Sequence, residues 1–407
     1  MKRVIIVSYL FPPYGGKAVQ RASKLAKYLP DYGWEPIIFT MPLNEAKDSL
    51  DSTLFDELPS CVEIHRASFR NWWKFLPYDI RKYFYNPLPD KYIAWAKAVE
   101  DNLISLIQKT NADALISTSP SHSVQLIGLA AKEKTGIPWV ADFRDQWTGH
   151  PDSSTKKNYK ILRDMENRVL AQADALVGVV PCILRNFKDR VSADKLHLIE
   201  NGYDEDDFSL IELDKPNVYS ELRIGYNGSV SGYHDPAPFL SAVTELFDQG
   251  SVNSDKLSLT FTTDSISRKR FAPFSKLVRQ GILKVCEYLP HRESLVRMAE
   301  MDISLLLVTR GRDIYSAKVF EYMYLGNPIL SLSTPGDDLE DLIRKTNSGT
   351  VVDYRDNEAV KKTVLNLIDM KKRGKLSRIS NNREEIFRFS RKKIAERFSE
   401  ILVQISS

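Results

Sequence analysis

Three stretches hold residues whose types and spacing can do chemistry. In YSAKVFEYMYLGNPI (315–329), Lys318, Glu321, Tyr322 and Leu325 recur at i, i+3, i+4 and i+7, one face of a helix. A carboxylate just inside such a helix can accept two hydroxyls of a ribose or sugar, and a lysine one turn earlier can meet a phosphate. The same two side chains also read as a plain helix ion pair worth about 0.3–0.5 kcal/mol. In YLFPPYGGKAVQR (9–21), two prolines stop an apolar run, and Gly15 and Gly16 open a helical segment. The unpaired N–H groups and positive dipole end of a helix N-terminus attract anions, and the glycines let a ligand approach the main chain. A tight connection that binds nothing explains the turn equally. Third, SFRNWWKFLPYDIRKYFYNPLPDKYIAW (68–95) interleaves aromatics with cations, among them Trp72, Trp73 and Lys74. Such a mixture suits a membrane interface, a wall on which sugars stack, or a satellite of the core.

The elements that must position these residues alternate in type. Strand-like runs fall at 3–8, 35–40, 62–66, 114–118, 138–143, 175–180 and 196–200, with helical stretches at 17–29, 91–109, 123–135 and 158–172. The acidic, turn-rich stretch NGYDEDDFSLIELDKPN (201–217) reads as a connection, its run Asp204–Asp207 as a solvated turn and not a metal site. Alternation then restarts, with strands near 222–228, 257–263, 282–289, 302–308, 328–333 and 350–354, helices near 236–249, 291–300 and 316–325, and a last basic helix near 384–404. This pattern predicts an α/β fold of two Rossmann-like βα domains facing across a cleft. The expected divisions are 1–205, a linker 206–221, 222–384, and a closing helix 385–407 packing back toward the first domain. Ligands of such sheets bind beyond the carboxyl ends of the strands.

Bulk properties narrow the function. A chain of 407 residues favours two domains, and 43% hydrophobic with 27% charged residues is globular composition. A net charge of +4 tolerates phosphates or an anionic membrane but does not mark a general nucleic-acid binder. Cys61, Cys182 and Cys286 lie more than a hundred residues apart, which suggests neither a zinc site nor a disulfide framework. The run Val4–Leu10 is too short to span a bilayer and has no small-residue cleavage site, so it reads as a strand and the protein as cytoplasmic.

Taken in order, SYLFPPYGGKAVQRASKLAKYL, DFRDQW (142–147), NGYDEDDF (201–208), IGYNGSVSG (224–232) and KVFEYMYLGNPI (318–329) resemble the family 4 glycosyltransferases of the GT-B type, in a subgroup carrying DFRD. The resemblance covers nearly the whole chain. It implies a retaining, metal-independent transfer of sugar from a nucleotide-sugar donor, a UDP- or GDP-sugar, with no other cofactor. The donor would lie against the second domain and the acceptor against the first. The acceptor would be a glycan or polyprenyl-linked sugar in cell-surface polysaccharide or glycolipid synthesis, at the inner membrane face, with Trp72, Trp73 and Lys74 on the acceptor or membrane side.

Residue by residue, the resemblance implies that Gly15 and Gly16 face the donor phosphates, that Glu321 holds the ribose, and that Asp313 meets the donor sugar. Asp313 stands eight positions before Glu321, where the family carries a longer glutamate. Arg310 and Arg312 flank it. The family's arginine and lysine after the first strand of the second domain are absent from GSVSGYHDPA (228–237), so the diphosphate charge would fall to Lys318, Arg310, Arg312 or Arg268, with Gly228 and Ser229 offering backbone N–H groups. Where many members have a histidine, Arg144 and Asp145 stand, either as a buried ion pair or positioning acceptor or sugar. His122, in STSPSHS, is either a structural imidazole or a second group at the reacting centre. Two other outcomes fit the scaffold: a nucleotide-sugar epimerase, and a catalytically silent sugar-binding or scaffold protein.

Overall fold

Seven of the apolar runs become strands of one parallel sheet: β1 Lys2–Ser8, β2 Trp34–Thr40, β3 Glu63–Arg66, β4 Ala114–Thr118, β5 Trp139–Phe143, β6 Ala175–Gly178 and β7 Leu196–Leu198. Six more form a second parallel sheet: β8 Leu222–Asn227, β9 Leu257–Thr262, β10 Leu283–Cys286, β11 Ile303–Leu307, β12 Ile329–Ser333 and β13 Gly349–Asp353. The computed structural model describes residues 1–43, 53–69, 87–149, 157–212, 220–309, 315–376 and 382–407, and the structural statements below concern these.

Continuous apolar strands such as VIIV and SLLL are the signature of strands buried on both faces, and β4, β5, β11 and β12 are buried along their whole length. Strand order is β3-β2-β1-β4-β5-β6-β7 in the first sheet and β10-β9-β8-β11-β12-β13 in the second. The order therefore reverses between β1 and β4, and again between β8 and β11. Loops leaving the carboxyl ends of those four strands diverge, which opens a crevice at each reversal. Into the first run the Gly15–Gly16 loop and the 119–122 loop; into the second runs the loop from Gly228, with Val308 and Thr309 leaving β11 beside it.

The chain forms two compact units, Met1–Asn201 with Arg391–Ser407, and Gly202–Ser390. The sequence alone places the crossings at 205 and 384. In the first unit Val4, Ile6, Leu25, Ile38 and Ile116 share a core with Phe398, Ile401 and Leu402 of the last helix, Arg391–Ile405. In the second, Ile224, Leu259, Leu305 and Leu332 share a core with Val360, Val364 and Ile368 of the helix Asn357–Lys372.

Several local expectations change. The single closing helix is two, Arg383–Phe387 and Arg391–Ile405, broken where Phe389 turns inward and Ser390 pairs with Tyr203. The run at 204–207 is not a solvated turn. Asp204 and Asp207 are buried, and Asp204 caps the 3-10 turn Glu205–Phe208 by accepting from the Asp206 N–H at 3.2 Å. Helices Pro181–Phe187, Asp338–Lys345 and Asn357–Lys372 were not anticipated. In the longest of them Val360, Val364 and Ile368 repeat every four residues, a stripe that the flanking lysines obscure. Among the described residues, no helix is long and apolar enough to cross a membrane.

Candidate functional site

In the second unit the site grows from the carboxyl end of β8. Its last residue, Asn227, is held twice: its N–H donates to the Tyr322 hydroxyl at 3.3 Å and its side-chain amide to Ser294 Oγ at 2.8 Å. The next residue is Gly228, with φ +132°, a region that side-chain-bearing residues rarely adopt. A Cβ there would also run into Lys318 Nζ. Lys318 begins the helix Lys318–Leu325, and its buried ammonium lies 3.2 Å from the Tyr226 hydroxyl and 4.4 Å from that ring's centre. Burial pushes the Tyr226 phenol up, with Asp264 adding to the effect, so the hydroxyl keeps its proton and donates it to the Ser229 carbonyl at 2.9 Å. Lys318 thus reaches the bend where the loop leaves β8, the place its spacing in the sequence allows.

The same geometry limits the loop as an anion nest. The N–H of Gly228 is spent on the Thr262 carbonyl at 2.9 Å and that of Val230 on Ser267 Oγ at 2.9 Å. Ser229 hydrogen-bonds through its side chain to Asp264. Arg268 is exposed and paired with Glu287 at 3.0 Å. Arg310, Arg312 and Asp313 lie outside the described residues.

Glu321 stands in the first turn of the Lys318 helix, its side chain 13% exposed. It is no simple partner of Lys318. One oxygen, Oε1, lies 2.8 Å from Nε2 of His291, the first residue of the helix His291–Ala299, and the other ring nitrogen of His291 faces Asp207 Oδ2 at 3.8 Å. His291 carries no signal in the sequence; thirty positions separate it from Glu321, and only the packing of the two helices joins them.

In the first unit the Gly15–Gly16 pair ends on Gly16, with φ +91° at the start of the helix Lys17–Tyr28 and no side-chain cap. A Cβ on Gly16 would meet nothing within 4 Å, so backbone conformation and not crowding calls for glycine there. Arg144 is tied to this helix, its guanidinium donating to the Ala18 carbonyl at 2.6 Å and its N–H to Ser119 Oγ at 2.8 Å. Burial and then the neighbouring Arg21 lower its pKa to about 10, against Asp142 and Asp145, and it stays charged at neutral pH.

A buried ion pair, one of the two readings of Arg144 and Asp145, is made here by other residues. Asp145 is exposed, while Arg21 and Asp142 are fully buried and bonded through two N–H groups at 2.8 and 2.9 Å. Arg21 also donates to the carbonyls of Ile199 and Glu200, and Thr118 to Asp142. His122 precedes the helix Ser123–Thr135 and stacks on Trp147 with ring centres 5.0 Å apart. Burial lowers its pKa, against Asp145, Asp90 and Glu166, so the ring is neutral at pH 7, and its Nδ1 makes no hydrogen bond. Trp72, Trp73 and Lys74 lie outside the described residues.

Residues 18–202 match the family described as a glycosyl transferase 4-like domain. Among solved structures the chain resembles sucrose-phosphate synthase from Thermosynechococcus elongatus, with a TM-score of 0.69, 14% identity and 99% of each chain covered. It resembles a glycosyltransferase from Rickettsia africae at 0.67 and 14%, covering 99% of this chain and 98% of that one. Anabaena HepE in complex with UDP-glucose follows at 0.66 and 12%, covering 99% and 100%. At such identity the likeness is one of fold, and the fold is GT-B. No curated protein matches the chain.

Proposed function

We propose that this chain, whose residues 18–202 match the glycosyl transferase 4-like domain family, is a glycosyltransferase that draws a sugar from a nucleoside-diphosphate donor held by the second unit. The observation that carries the reading is the end of the Lys318 helix. Glu321 in its first turn, buried Lys318, and the Gly228 bend gather at the reversal between β8 and β11. Glu321 accepts the ribose hydroxyls. Lys318 and the helix N-terminus offset the charge that develops on the departing diphosphate, the kind of pre-oriented electrostatic help that lowers a transfer barrier most. This supports metal-independent transfer, and retention at the anomeric carbon is carried over from the resemblance to the family 4 glycosyltransferases. Asp313 is assigned to the donor sugar, Arg310 and Arg312 to the diphosphate, and Gly15 and Gly16 to the phosphate side from the first unit. Arg144, which holds the glycine helix by Ala18, is assigned to positioning the acceptor or sugar, and the neutral His122 to the reacting centre. The acceptor is a glycan or a polyprenyl-linked sugar, with Trp72, Trp73 and Lys74 toward it or the cytoplasmic membrane face, and UDP- or GDP-sugar is the donor class.

Thermal shift against UDP, GDP and dTDP and their sugars, with and without chelator, tests this. A ligand at a hundred times its dissociation constant adds about 2.7 kcal/mol. A shift selective for one nucleotide, kept in chelator and lost in Glu321→Ala, is the expected result; an equal shift in Glu321→Ala removes the site assignment. A second reading rests on the two N–H groups already spent at Gly228 and Val230: a silent sugar-binding protein. It predicts donor binding with no sugar transferred or released.

A further inference from the structure

We infer that the cavity at the carboxyl ends of β2 and β3 in the first unit binds an isoprenyl phosphate, with Arg66 meeting the phosphate. The inference rests on the proposed transfer and chooses between its two acceptor classes. Among the described residues the cavity is lined by Pro13, Leu43, Phe55, Ile64 and Arg66, and its volume is about 300 Å³. Pro13 comes from the loop after β1, Leu43 from the segment after β2, Ile64 and Arg66 from β3, and Phe55 from the short helix Thr53–Asp56. Leu43 is 46% and Phe55 45% exposed, so two large apolar side chains at the same cavity are left in contact with water. Pro13 belongs to the same loop as Gly15 and Gly16, which ties the cavity to the loop entering the first crevice.

Arg66 is the one charged residue of the five. It ends β3 opposite Thr40 and is half-buried, and its guanidinium donates to the carbonyls of Met41, at 3.2 Å, and of Pro12. No carboxylate among the described residues forms an ion pair with it. Burial lowers its pKa, with Tyr14 acting the other way, yet a guanidinium keeps its charge at neutral pH. The cation is thus partly withdrawn from water against neutral carbonyls, and a guanidinium has more N–H groups than the two spent on them. A charge in that position gains from an anion brought to it, and the planar fork suits a phosphate. An apolar chamber with one cation in its wall selects a ligand with an apolar body and an anionic end. A glycan presents hydroxyls on every face, and walls of Pro13, Leu43, Phe55 and Ile64 would leave them without partners. The volume is at the lower end for ligand cavities, room for the end of a chain next to its phosphate and not for a whole polyprenyl chain.

The test is calorimetric titration of the full chain with four probes. They are geranyl phosphate; geraniol, which lacks the anion; inorganic phosphate, which lacks the chain; and dihexanoyl phosphatidic acid, which carries its phosphate on a diacylglycerol. Geranyl phosphate is expected to bind about tenfold or more tightly than each of the others. Arg66→Gln should bring geranyl phosphate down to the affinity of geraniol and leave geraniol unchanged. Leu43→Asp and Phe55→Asp, at positions already half in water, should weaken geranyl phosphate and geraniol alike by about tenfold. The inference is overturned if geranyl phosphate does not bind, if Arg66→Gln binds it as wild type does, or if inorganic phosphate binds as tightly. Equal binding of dihexanoyl phosphatidic acid also overturns it, because the site would then be one for membrane phospholipid. Should Arg66→Gln fail to fold, the two aspartate variants decide: unchanged affinity overturns the inference and weakened affinity upholds it. Failure of the transferase reading looks different, since no nucleotide sugar would then stabilise wild type, whatever geranyl phosphate does.

Discussion

Gly228 shows how one residue type fixes another's position. Its φ of +132° and the Lys318 ammonium occupying the space of a Cβ both exclude a side chain. Gly228→Ala is expected to introduce backbone strain of about 1–3 kcal/mol and to displace the flexible end of Lys318. The result should be donor affinity reduced at least tenfold with the far-ultraviolet circular dichroism unchanged, and unaltered affinity would separate Lys318 from the phosphates. His122 acts at the same scale through burial. Its pKa is lowered in the folded chain, so below about 6.5 the unfolded chain takes up a proton that the folded ring resists. Stability should therefore fall as pH drops from about 6.5 toward the lowered value. In His122→Asn, melting temperatures between pH 7.5 and 5.5 should decline less steeply than in wild type; parallel declines would mean the ring is not held neutral.

Between elements, the buried Arg21–Asp142 pair does the joining. Arg21 on the first helix reaches the end of β5 through Asp142 and the segment after β7 through two carbonyls. Removing one partner strands the other as a buried charge, so Arg21→Ala should cost about 3–5 kcal/mol, read as a lower urea midpoint. A loss under about 1 kcal/mol would mean that water replaces the guanidinium. The sequence shows why this pair escaped notice. Strands announce themselves by local apolar runs, which is why all thirteen strands among the described residues fall on the runs expected. Arg21 and Asp142 are 121 positions apart, and nothing local distinguishes Arg21 from the other cations of its helix. Glu321, Lys318 and the glycines could be singled out as candidates because each sits inside a contiguous motif. His291 and the capping role of Asp204 were not, since their meaning comes from a neighbour distant in sequence, and the acidic composition around Asp204 pointed the wrong way, toward solvent.

At the scale of the molecule, the second unit is one continuous stretch, Gly202–Ser390, whereas the first is assembled from two pieces. A fragment of residues 202–390 is expected to fold alone, with a cooperative melt, and to bind the nucleotide that the whole chain binds; a fragment that binds nothing would move the donor site off this unit. The complementary fragment 1–201 lacks the helix Arg391–Ile405, whose Phe398, Ile401 and Leu402 are buried in the first unit's core, and should be insoluble or molten. The two connecting strands run side by side, with the Tyr203 N–H donating to the Phe389 carbonyl at 3.1 Å, so the chain leaves and returns at one place. That pairing has a consequence for synthesis. On the ribosome residues 1–201 are made before the second unit but their unit cannot close then, because the helix that covers its core, Arg391–Ile405, is translated only after the second unit. The second unit can fold in the meantime, and its completion brings the ends of the connection together. The order of folding is thus the reverse of the order in which the two units are translated, and a nonsense mutation just before the codon of Arg391 would cost the protein its first-made unit while sparing the later one.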